Sequence, residues 1–440
     1  MDLGQGAATR SRHRGLVVGI FVLFLLPALL FLFLIPPGEA PDEPAHLAYV
    51  GYLLDHGRLP PVRATNPWVD YEDFQPPLAY LVMALGDRLL GFDSITYRFD
   101  PNPDFAGGGG GARAYLRPQP SAAAAHARHA VWAARMPNLL WGALCAAATL
   151  LLCLRLGRSR WSALAAGAPF CLSPQLLFAS ATASNDALVA AGSAVALAIS
   201  IGLLLREPRG RGALVAATGA GCGLLAKASA VVLAPGLALV AVLMAMRRKW
   251  RIVAALIIPG VISVAVFVGL SLARSRSFLD LTARGWHGHP AGFERLVSEP
   301  YWLLQIWVGF WAKLGWNNLR LPLGAYLLFL PATLLAVAGA AEAFGRRSEH
   351  STAARMLLLT VGSNVALLAV YMASVDWQPQ GRLLLPSLPA LAGLAVIGLD
   401  AVGRRWPRMR VGGSLASTSL AMALTAVVTA SAVLQSAYCG

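Results

Sequence analysis

The chain has 440 residues, of which 57% are hydrophobic and 13% are charged, and its formal net charge at pH 7 is +15. A soluble domain usually carries about 25% charged residues, so this composition argues against a soluble protein. Apolar runs of about 20 residues, the length that crosses a bilayer as an α-helix, occur at 16–36, 252–272, 356–374 and 383–402. The sequence therefore predicts an integral membrane protein.

Similar apolar runs continue to the end of the chain and predict one integral membrane domain over residues 1–440. We expect an all-α fold, a polytopic transmembrane helical bundle of about eleven spans. In chain order the predicted spans are 16–36, 130–154, 162–182, 187–205, 212–226, 229–246, 252–273, 322–344, 356–375, 383–402 and 412–434. The first run is too long for a signal peptide, so we expect it to be retained as an anchor.

The positive charge is concentrated in alternate short loops between these spans. Each of six clusters holds three or four basic residues: Arg10/Arg12/Arg14, Arg155/Arg158/Arg160, Arg206/Arg209/Arg211, Arg247/Arg248/Lys249/Arg251, Arg346/Arg347/Arg355 and Arg404/Arg405/Arg408/Arg410. By the positive-inside rule these loops and the N-terminus are cytoplasmic. The charge thus sets topology and does not indicate a nucleic-acid partner. The excess of Arg over Lys is typical of a GC-rich bacterial genome, so we expect a bacterial cytoplasmic membrane.

Two long segments, 37–129 and 274–321, are then extracytoplasmic. In the first segment Pro44 suits the first turn of a helix, and the apolar residues that follow predict a helix lying at the membrane interface. A second short apolar helix is expected to end near Gly91. The glycine run Gly107–Gly111 lacks the Gly-Lys-Ser/Thr of a phosphate-binding loop and predicts a flexible loop.

The second external segment is rich in tryptophan. The residues concerned are Trp286, Trp302, Trp307, Trp311 and Trp316. Tryptophan is enriched at membrane interfaces, so an interfacial helix is the simpler interpretation. A platform on which a sugar stacks is the alternative.

Asp42 and Glu43 follow directly after the first span and are the strongest local signal for chemistry. Two carboxylates at a helix N-terminus lie at the positive end of its dipole, which favours their ionised forms. His46 follows Asp42 by four residues and Glu43 by three, so all three side chains can share one helical face. The pattern is compatible with a proton acceptor or with a divalent metal ligand set, and also with ordinary helix capping; Asp-Glu-x-x-His alone does not decide between them.

Further polar residues lie at the predicted external ends of other spans. They are Gln75, Arg135, Asn185, Asp186, Lys227, Gln380 and Arg382. Each alone is commonly a loop residue held at the interface. Together, cations facing an acidic loop predict a binding site for an anionic lipid headgroup. Lys227 and Arg382 are the best phosphate ligands, and the Arg382 guanidinium can bind phosphate with two hydrogen bonds.

Several short motifs carry a family resemblance. Pro41-Asp42-Glu43-Pro44-Ala45-His46 after the first span resembles the GT-C superfamily of membrane glycosyltransferases, and most closely a bacterial branch related to the protein mannosyltransferase and aminoarabinose transferase families. The other matching pieces, in order, are Gln75-Pro76-Pro77-Leu78, Ala134-Arg135-Met136-Pro137, Ser184-Asn185-Asp186, Leu225-Ala226-Lys227 and Gln380-Gly381-Arg382-Leu383-Leu384-Leu385-Pro386. The resemblance extends from residue 16 to about residue 400.

The resemblance implies an enzyme that transfers a sugar from a polyprenyl-phosphate donor to an extracytoplasmic acceptor. The family's general base maps onto Asp42, with Glu43 as the alternative, and the reaction inverts the anomeric carbon. A phosphate leaving group needs little protonation, so one carboxylate base and nearby cations suffice. The chain ends after the last predicted span, which suggests a small, lipid-linked or cell-envelope glycan acceptor.

Two other functions remain open from the sequence. A transporter or lipid flippase would place ionisable residues near the bilayer midplane, whereas here the acidic residues gather in external loops. A non-catalytic assembly protein would not require the acidic motif or the cations at the span ends. The sequence establishes no cofactor, and a divalent metal is compatible with the acidic motif. The sequence names neither the sugar nor the acceptor.

Overall fold

The computed structural model describes residues 3–61, 67–105, 113–117, 122–205, 209–275, 292–345, 350–375, 377–406 and 411–439. Several residues that entered the sequence predictions lie outside these ranges. They are Gly107–Gly111, Arg206, Trp286, Arg346, Arg347, Arg408 and Arg410.

Long α-helices make up most of the described chain, as its runs of Leu, Ala and Val favour in a membrane. The first half contains α1 (Leu3–Leu34), α2 (Glu43–His56), α3 (Pro67–Glu72), α4 (Leu78–Leu89), α5 (Ala122–Leu156), α6 (Arg160–Cys171), α7 (Pro174–Ser180), α8 (Asp186–Leu205) and α9 (Gly210–Ala226). The all-α fold class expected from the sequence is confirmed.

The second half continues in the same way. Its α-helices are α10 (Ala234–Met246), α11 (Trp250–Ser275), α12 (Gly292–Ser298), α13 (Trp302–Ala312), α14 (Leu323–Tyr326), α15 (Leu330–Ala341), α16 (Ser351–Ser374), α17 (Leu388–Arg405) and α18 (Gly413–Tyr438). Short 3-10 helices cover Ala228–Leu233, Leu327–Phe329, Glu342–Phe344 and Gly381–Ser387. A small antiparallel hairpin, β1 (Lys313–Leu314) and β2 (Leu319–Arg320), pairs Lys313 with Arg320.

Nine helices within the described residues are long and apolar enough to cross a membrane, and a tenth span results if the bent pair α6 and α7 counts as one. Their bounds are His13–Leu34, Ala125–Leu156, Asp186–Leu205, Ala228–Met246, Trp250–Arg274, Leu323–Phe344, Ser351–Ser374, Gly381–Arg405 and Gly413–Tyr438. The bent pair, Arg160–Cys171 and Pro174–Ser180, turns by 53°.

The eleven predicted spans therefore exceed the number found by one or two. The predicted span 212–226 falls within α9, which has 17 residues. At about 1.5 Å per residue it is about 25 Å long, shorter than the roughly 30 Å hydrocarbon core. It packs closely on α8 through small residues, and a β-carbon on Gly192 would lie 2.5 Å from the carbonyl oxygen of Gly219.

Helices α8 and α17 lie at the centre of the bundle, where most of their residues are buried. Close helix packing in a membrane relies on small residues. At Gly398 a β-carbon would collide with the carbonyl oxygen of Leu335, and at Gly339 with that of Leu394. These two glycines thus allow α15 and α17 to approach at backbone distance. They fix the central helix whose preceding segment contains Arg382.

The first long segment folds against the bundle. The apolar face predicted for α2 is buried within the protein, where Tyr49 stacks on Tyr80 of α4 with ring centroids 4.0 Å apart. The Glu39 carboxylate accepts hydrogen bonds from the backbone nitrogens of Tyr115 (2.9 Å) and Leu116 (2.7 Å). Burial raises the pKa of Glu39 to about 7, although these two hydrogen bonds oppose the rise. Glu39 therefore joins the start of the segment to a distant part of it.

The described tryptophans of the second segment pack internally. Trp311 is 1% exposed and stacks on Phe329 at 4.4 Å. Trp316 donates a hydrogen bond from its indole nitrogen to the carbonyl of Gly38 (2.9 Å) and lies against Tyr115. Because these two ring faces contact protein, the sugar-stacking interpretation does not hold for them.

Candidate functional site

Asp42 occupies the N-cap of α2 in an unusual backbone conformation. Its φ of 66° and ψ of −3° are left-handed, and its side chain makes no capping hydrogen bond to the helix. Asparagine and aspartate tolerate this region better than most residues. The turn releases the Asp42 carboxylate from the capping role that the sequence left open, and directs it to Arg382.

Four side chains from separate parts of the chain form a continuous line of ion pairs, which we call the open chain. Asp42 Oδ2 lies 2.5 Å from an Arg382 terminal nitrogen, and the other Arg382 terminal nitrogen lies 3.6 Å from Asp186 Oδ2. Lys227 Nζ is 2.7 Å from Asp186 Oδ1. The side chains of Asp42 and Lys227 are 24% and 18% exposed, against 10% for Arg382 and 6% for Asp186. The open chain is thus accessible to solvent mainly at its two end residues, Asp42 and Lys227.

The local sequence explains how each member reaches the open chain. Asp186 begins α8, and Lys227 follows the last residue of α9. Arg382 is the second residue of the 3-10 helix that precedes α17. A side chain at Gly381 would collide with the backbone of Ile306 and Phe310 in α13. The glycine before Arg382 therefore lets this segment lie directly against α13.

Burial and charge act in opposite directions on the Asp42 carboxyl. Burial by itself raises the pKa of Asp42, but the Arg382 guanidinium, with smaller contributions from His46 and Lys227, lowers it below its ordinary value. Asp42 is therefore a carboxylate at neutral pH. An ionised carboxylate can accept a proton or bind a cation.

Glu43, next in sequence, is held in a different way, in what we call the closed pair with Arg135. Both Glu43 oxygens accept from Arg135, each at 2.7 Å, and they also accept from the backbone nitrogens of Ala183 (2.7 Å) and Gly38 (2.8 Å). Arg135 donates further to the carbonyls of Ile35 and Pro36. The Glu43 and Arg135 side chains are 1% and 0% exposed. This pair joins α1, α2, α5 and the turn before α8.

His46 lies one turn into α2 and is 3% exposed. Its Nδ1 is 2.9 Å from the hydroxyl oxygen of Tyr80. Burial lowers the pKa of His46 to about 4, although Asp42 opposes the change. The imidazole is therefore neutral at pH 7 and adds no charge to the site.

The predicted amide residues form links around the open chain. Gln380 Oε1 accepts from Arg382 Nε at 2.7 Å, and the Gln380 amide donates to Gln378 Oε1 at 2.9 Å. Asn185 Nδ2 lies 3.5 Å from Gln75 Oε1. Gln380 thus orients the guanidinium that binds Asp42, while Gln75 and Asn185 join the first loop to the start of α8.

Two residues near the site were not selected from the sequence. Glu72, the last residue of α3, is 5% exposed. Burial raises its pKa, and the charges of Asp42, Lys227 and Arg382 also affect that pKa. Arg274 donates to the backbone carbonyls of Asp73 and Gln75. Glu72 lies three residues before Gln75, which begins one of the motifs that carried the resemblance. Its closeness to this motif is the only feature of the sequence that could have identified it.

The residues predicted from the sequence thus separate into two groups. Asp42, Asp186, Lys227 and Arg382 meet in the open chain, whereas Glu43 and Arg135 bind each other. The described residues contain no group of three His, Cys, Asp or Glu side chains placed to hold a metal ion. In the Asp-Glu-x-x-His motif the Glu43 oxygens are taken up by four nitrogen donors, so this motif does not assemble as a ligand set.

The bundle, the folded first loop and the polar side chains at the ends of its helices define a multi-pass membrane protein with the GT-C glycosyltransferase fold. The crystal structure of ArnT from Cupriavidus metallidurans bound to undecaprenyl phosphate matches with a TM-score of 0.58 and 17% identity, covering 95% of this chain and 77% of that one. ArnT from the same organism in the apo state matches with a TM-score of 0.50 and 15% identity, covering 96% and 76%. The GT-C resemblance seen in the sequence is confirmed at the level of the fold.

The chain belongs to the family described as "Predicted membrane protein (DUF2142)", whose profile matches residues 120–391. None of the curated proteins matches the sequence significantly. The family match begins at residue 120, near the end of the first long segment, so Asp42, Glu43 and His46 lie before it, whereas Asp186, Lys227 and Arg382 lie within it.

Proposed function

We propose that this protein is a membrane glycosyltransferase that moves a sugar from a polyprenyl-phosphate donor to an acceptor on the extracytoplasmic side of a bacterial cytoplasmic membrane. The observation that carries the proposal is the open chain, in which one accessible carboxylate and two cations meet within a GT-C fold. ArnT, which shares the fold, has been crystallised bound to undecaprenyl phosphate. That ligand supports a polyprenyl phosphate as the lipid part of the donor.

In the proposed reaction Asp42 is the general base. Its carboxylate removes the proton from an acceptor hydroxyl as the hydroxyl oxygen attacks the anomeric carbon of the donor sugar. The bond from that carbon to the phosphate oxygen breaks, and the phosphate leaves with the bonding electrons. Attack from the face opposite the phosphate inverts the configuration.

Arg382 and Lys227 stabilise the departing phosphate. Positioned cations at the place where negative charge develops lower the activation barrier, and a guanidinium can bind two phosphate oxygens at once. When Arg382 turns toward the phosphate, its hold on Asp42 weakens and the basicity of the carboxylate rises. Donor binding therefore prepares the base.

The geometry favours Asp42 over Glu43 for this role. Glu43 already accepts four hydrogen bonds and is closed off by Arg135, so a proton transfer would require breaking the closed pair. We assign Glu43 and Arg135 to holding the first loop in place. Gln75, Asn185 and Gln380 then orient the loop and the guanidinium around the substrate, beside the neutral His46.

The test uses purified protein in nanodiscs, supplied with a panel of polyprenyl-phosphate sugars and crude envelope acceptors. Release of polyprenyl phosphate is followed for the wild type and for Asp42→Asn. We expect the variant to lose about 10²- to 10⁴-fold in rate, the usual contribution of a general base.

Asp93→Asn is the matched control, because Asp93 lies in the same loop with its side chain 88% exposed. It should release polyprenyl phosphate at the wild-type rate. Equal activity of Asp42→Asn and the wild type would remove Asp42 from the mechanism. Failure of folded wild-type protein to release polyprenyl phosphate from any donor would overturn the transferase proposal and favour a transporter or an assembly protein.

A further inference from the structure

Glu72 is a buried carboxyl group that the proposed reaction does not use. Its side chain is 5% exposed, and Gln75 makes a side-chain hydrogen bond to it. Its Oε2 is buried and has no hydrogen-bond partner among the residues that the structure describes. An unpaired oxygen in this position costs free energy in the free protein. A ligand that supplied a partner would recover that cost.

The charged groups around Glu72 are those of the open chain. Asp42 disfavours ionisation of Glu72, while Lys227 and Arg382 favour it to a smaller extent than burial opposes it. Glu72 also disfavours ionisation of two phenols, Tyr71 beside it in α3 and Tyr80 in α4. Arg274 contacts the backbone just after Glu72, at the carbonyls of Asp73 and Gln75.

Burial is the largest influence and raises the pKa of Glu72 to about 8. At pH 7 the group is therefore mainly a neutral carboxylic acid, which carries a proton that it can donate. A carboxyl group that burial keeps neutral is an effective hydrogen-bond donor to an anion. An ionised carboxylate in the same place could only accept.

The charge balance of the site shows why a neutral donor matters. Asp42 and Asp186 already offset Lys227 and Arg382, and His46 is neutral. A terminal phosphate adds a charge of about −1.5 to −2 at pH 7. An ionised Glu72 would add to the repulsion, whereas a protonated Glu72 supplies a hydrogen bond without adding negative charge.

We propose that Glu72 in its carboxylic acid form donates a hydrogen bond from Oε2 to a phosphate oxygen of the bound lipid, so that the lipid phosphate binds preferentially to the protein in which Glu72 is protonated. This inference rests on the proposed function, because it requires a polyprenyl phosphate in the site beside Asp42 and Arg382. Glu72 becomes a phosphate-binding residue that responds to pH.

The sign of the pH dependence follows from the two states of Glu72. Below about pH 8 the acid is already present, so affinity is constant with respect to this group. As the pH rises through 8 the free protein loses the proton, and binding must restore it. Affinity for the lipid phosphate should then fall by up to about tenfold per pH unit. The phosphate itself has finished titrating, since its second pKa is about 6.

The experiment measures binding of undecaprenyl phosphate to the full-length protein in nanodiscs from about pH 7 to about pH 9.5. Wild type should lose about tenfold in affinity or more across this range, while Glu72→Gln should change less than about twofold. Glutamine keeps the size and a neutral donor but cannot titrate. Undecaprenol, which lacks the phosphate, should show no pH-dependent binding in either protein.

Asp87→Asn is the matched control. Asp87 is another buried carboxyl, in α4, and burial raises its pKa to about 8 as well, yet none of the open-chain residues contributes to that change. Its variant should keep the full pH dependence of the wild type. A second readout, calorimetry of wild type at about pH 8.5 in two buffers of different ionisation enthalpy, should show uptake of a large fraction of one proton.

The outcomes separate this inference from the proposed function. Undecaprenyl phosphate binding with the same pH dependence in wild type and Glu72→Gln would overturn the inference and leave the transferase proposal standing. So would a calorimetric proton uptake near zero, a result that does not depend on any variant folding. A pH dependence that appears only with a sugar-charged lipid would overturn it too, by assigning Glu72 to the sugar. Absence of polyprenyl phosphate binding at every pH would overturn both.

Discussion

Asp42 and Glu43 are adjacent in sequence, yet they belong to two contrasting regions, the open chain and the closed pair. Glu43 is 1% exposed and satisfied by four nitrogen donors, whereas Asp42 is 24% exposed and contacts a guanidinium that is itself shared with Asp186. The left-handed turn at Asp42 separates the two carboxylates. Two identical functional groups can thus occupy contrasting environments within one helix turn.

The comparison shows that two ion pairs with similar nitrogen–oxygen distances can differ in burial and in the number of their other partners. A fully buried pair that satisfies all its lone pairs holds elements together, and breaking it leaves an uncompensated charge. A chain that alternates charges and remains accessible at its ends can exchange one partner for a ligand. The following predictions test this division, beginning with the largest effect.

Arg135→Met should break the closed pair and destabilise the protein by about 3–5 kcal/mol, because it strands the Glu43 charge in the interior. Thermal unfolding in detergent measures this. Arg128→Met, which replaces an exposed arginine on the same helix, should leave the melting temperature near that of the wild type. The double variant Arg135→Met/Glu43→Leu should recover part of the loss. Equal melting temperatures for Arg135→Met and Arg128→Met would contradict a structural role.

Arg382→Lys should lower kcat/KM for sugar transfer about 10²-fold while changing the melting temperature little. Lysine retains the charge but loses the planar fork that contacts Asp42, Gln380 and Asp186 together. The transfer assay measures the loss. Arg295→Lys is the control, because Arg295 pairs with Glu299 and is 41% exposed. Activity of Arg382→Lys within about twofold of the wild type would show that only charge matters at this position.

Lys227→Gln should weaken lipid phosphate binding about tenfold, since it removes one charge from the accessible end of the open chain. Equilibrium binding of undecaprenyl phosphate and the KM of the donor report this directly. Lys313→Gln, in the β-hairpin, provides a lysine control. If Lys227→Gln lowered kcat alone and left binding unchanged, Lys227 would act only on the developing charge of the leaving group.

His46→Gln should have the smallest effect, and it should appear only in acid. The folded pKa of about 4 lies below the ordinary 6.5, so the unfolded chain binds more protons between these values and stability falls as the pH falls. Between pH 6.5 and about 5.5 this costs the wild type about 1 kcal/mol. Thermal unfolding over that range should show a shallower loss in His46→Gln. Identical pH profiles would mean that His46 is not buried in its neutral form.

The sequence predicted the fold class and the family resemblance, because spans follow from hydropathy and short motifs recur along the chain. The same motifs mark the helix ends that carry Asp186, Lys227 and Arg382, which lie together in the open chain. Their roles remain predictions. The pairing of Glu43 with Arg135 joins residues 92 positions apart, and such a contact depends on helix packing that no local pattern specifies. The count of spans among the described residues depends on α9, whose 17 residues are at the short end of the range for a transmembrane helix.

The burial of Glu72 is a second feature that no local sequence pattern specifies. A glutamate beside Asp73 in a loop gives no indication of burial, and exposure is the common state of such a residue. The fold leaves Glu72 only 5% exposed, and this burial changes its acid–base behaviour.

The left-handed backbone conformation of Asp42 also limits which residues can replace it without strain. At a φ of 66° most side chains introduce strain, whereas glycine and asparagine fit. A saturation library at position 42 should therefore give different results for two measurements. The amount of protein in the membrane should stay high with Asn or Gly and fall with β-branched residues. Sugar transfer should be retained only with Asp. Relatives that have lost catalysis but kept the fold should carry asparagine or glycine at the equivalent position.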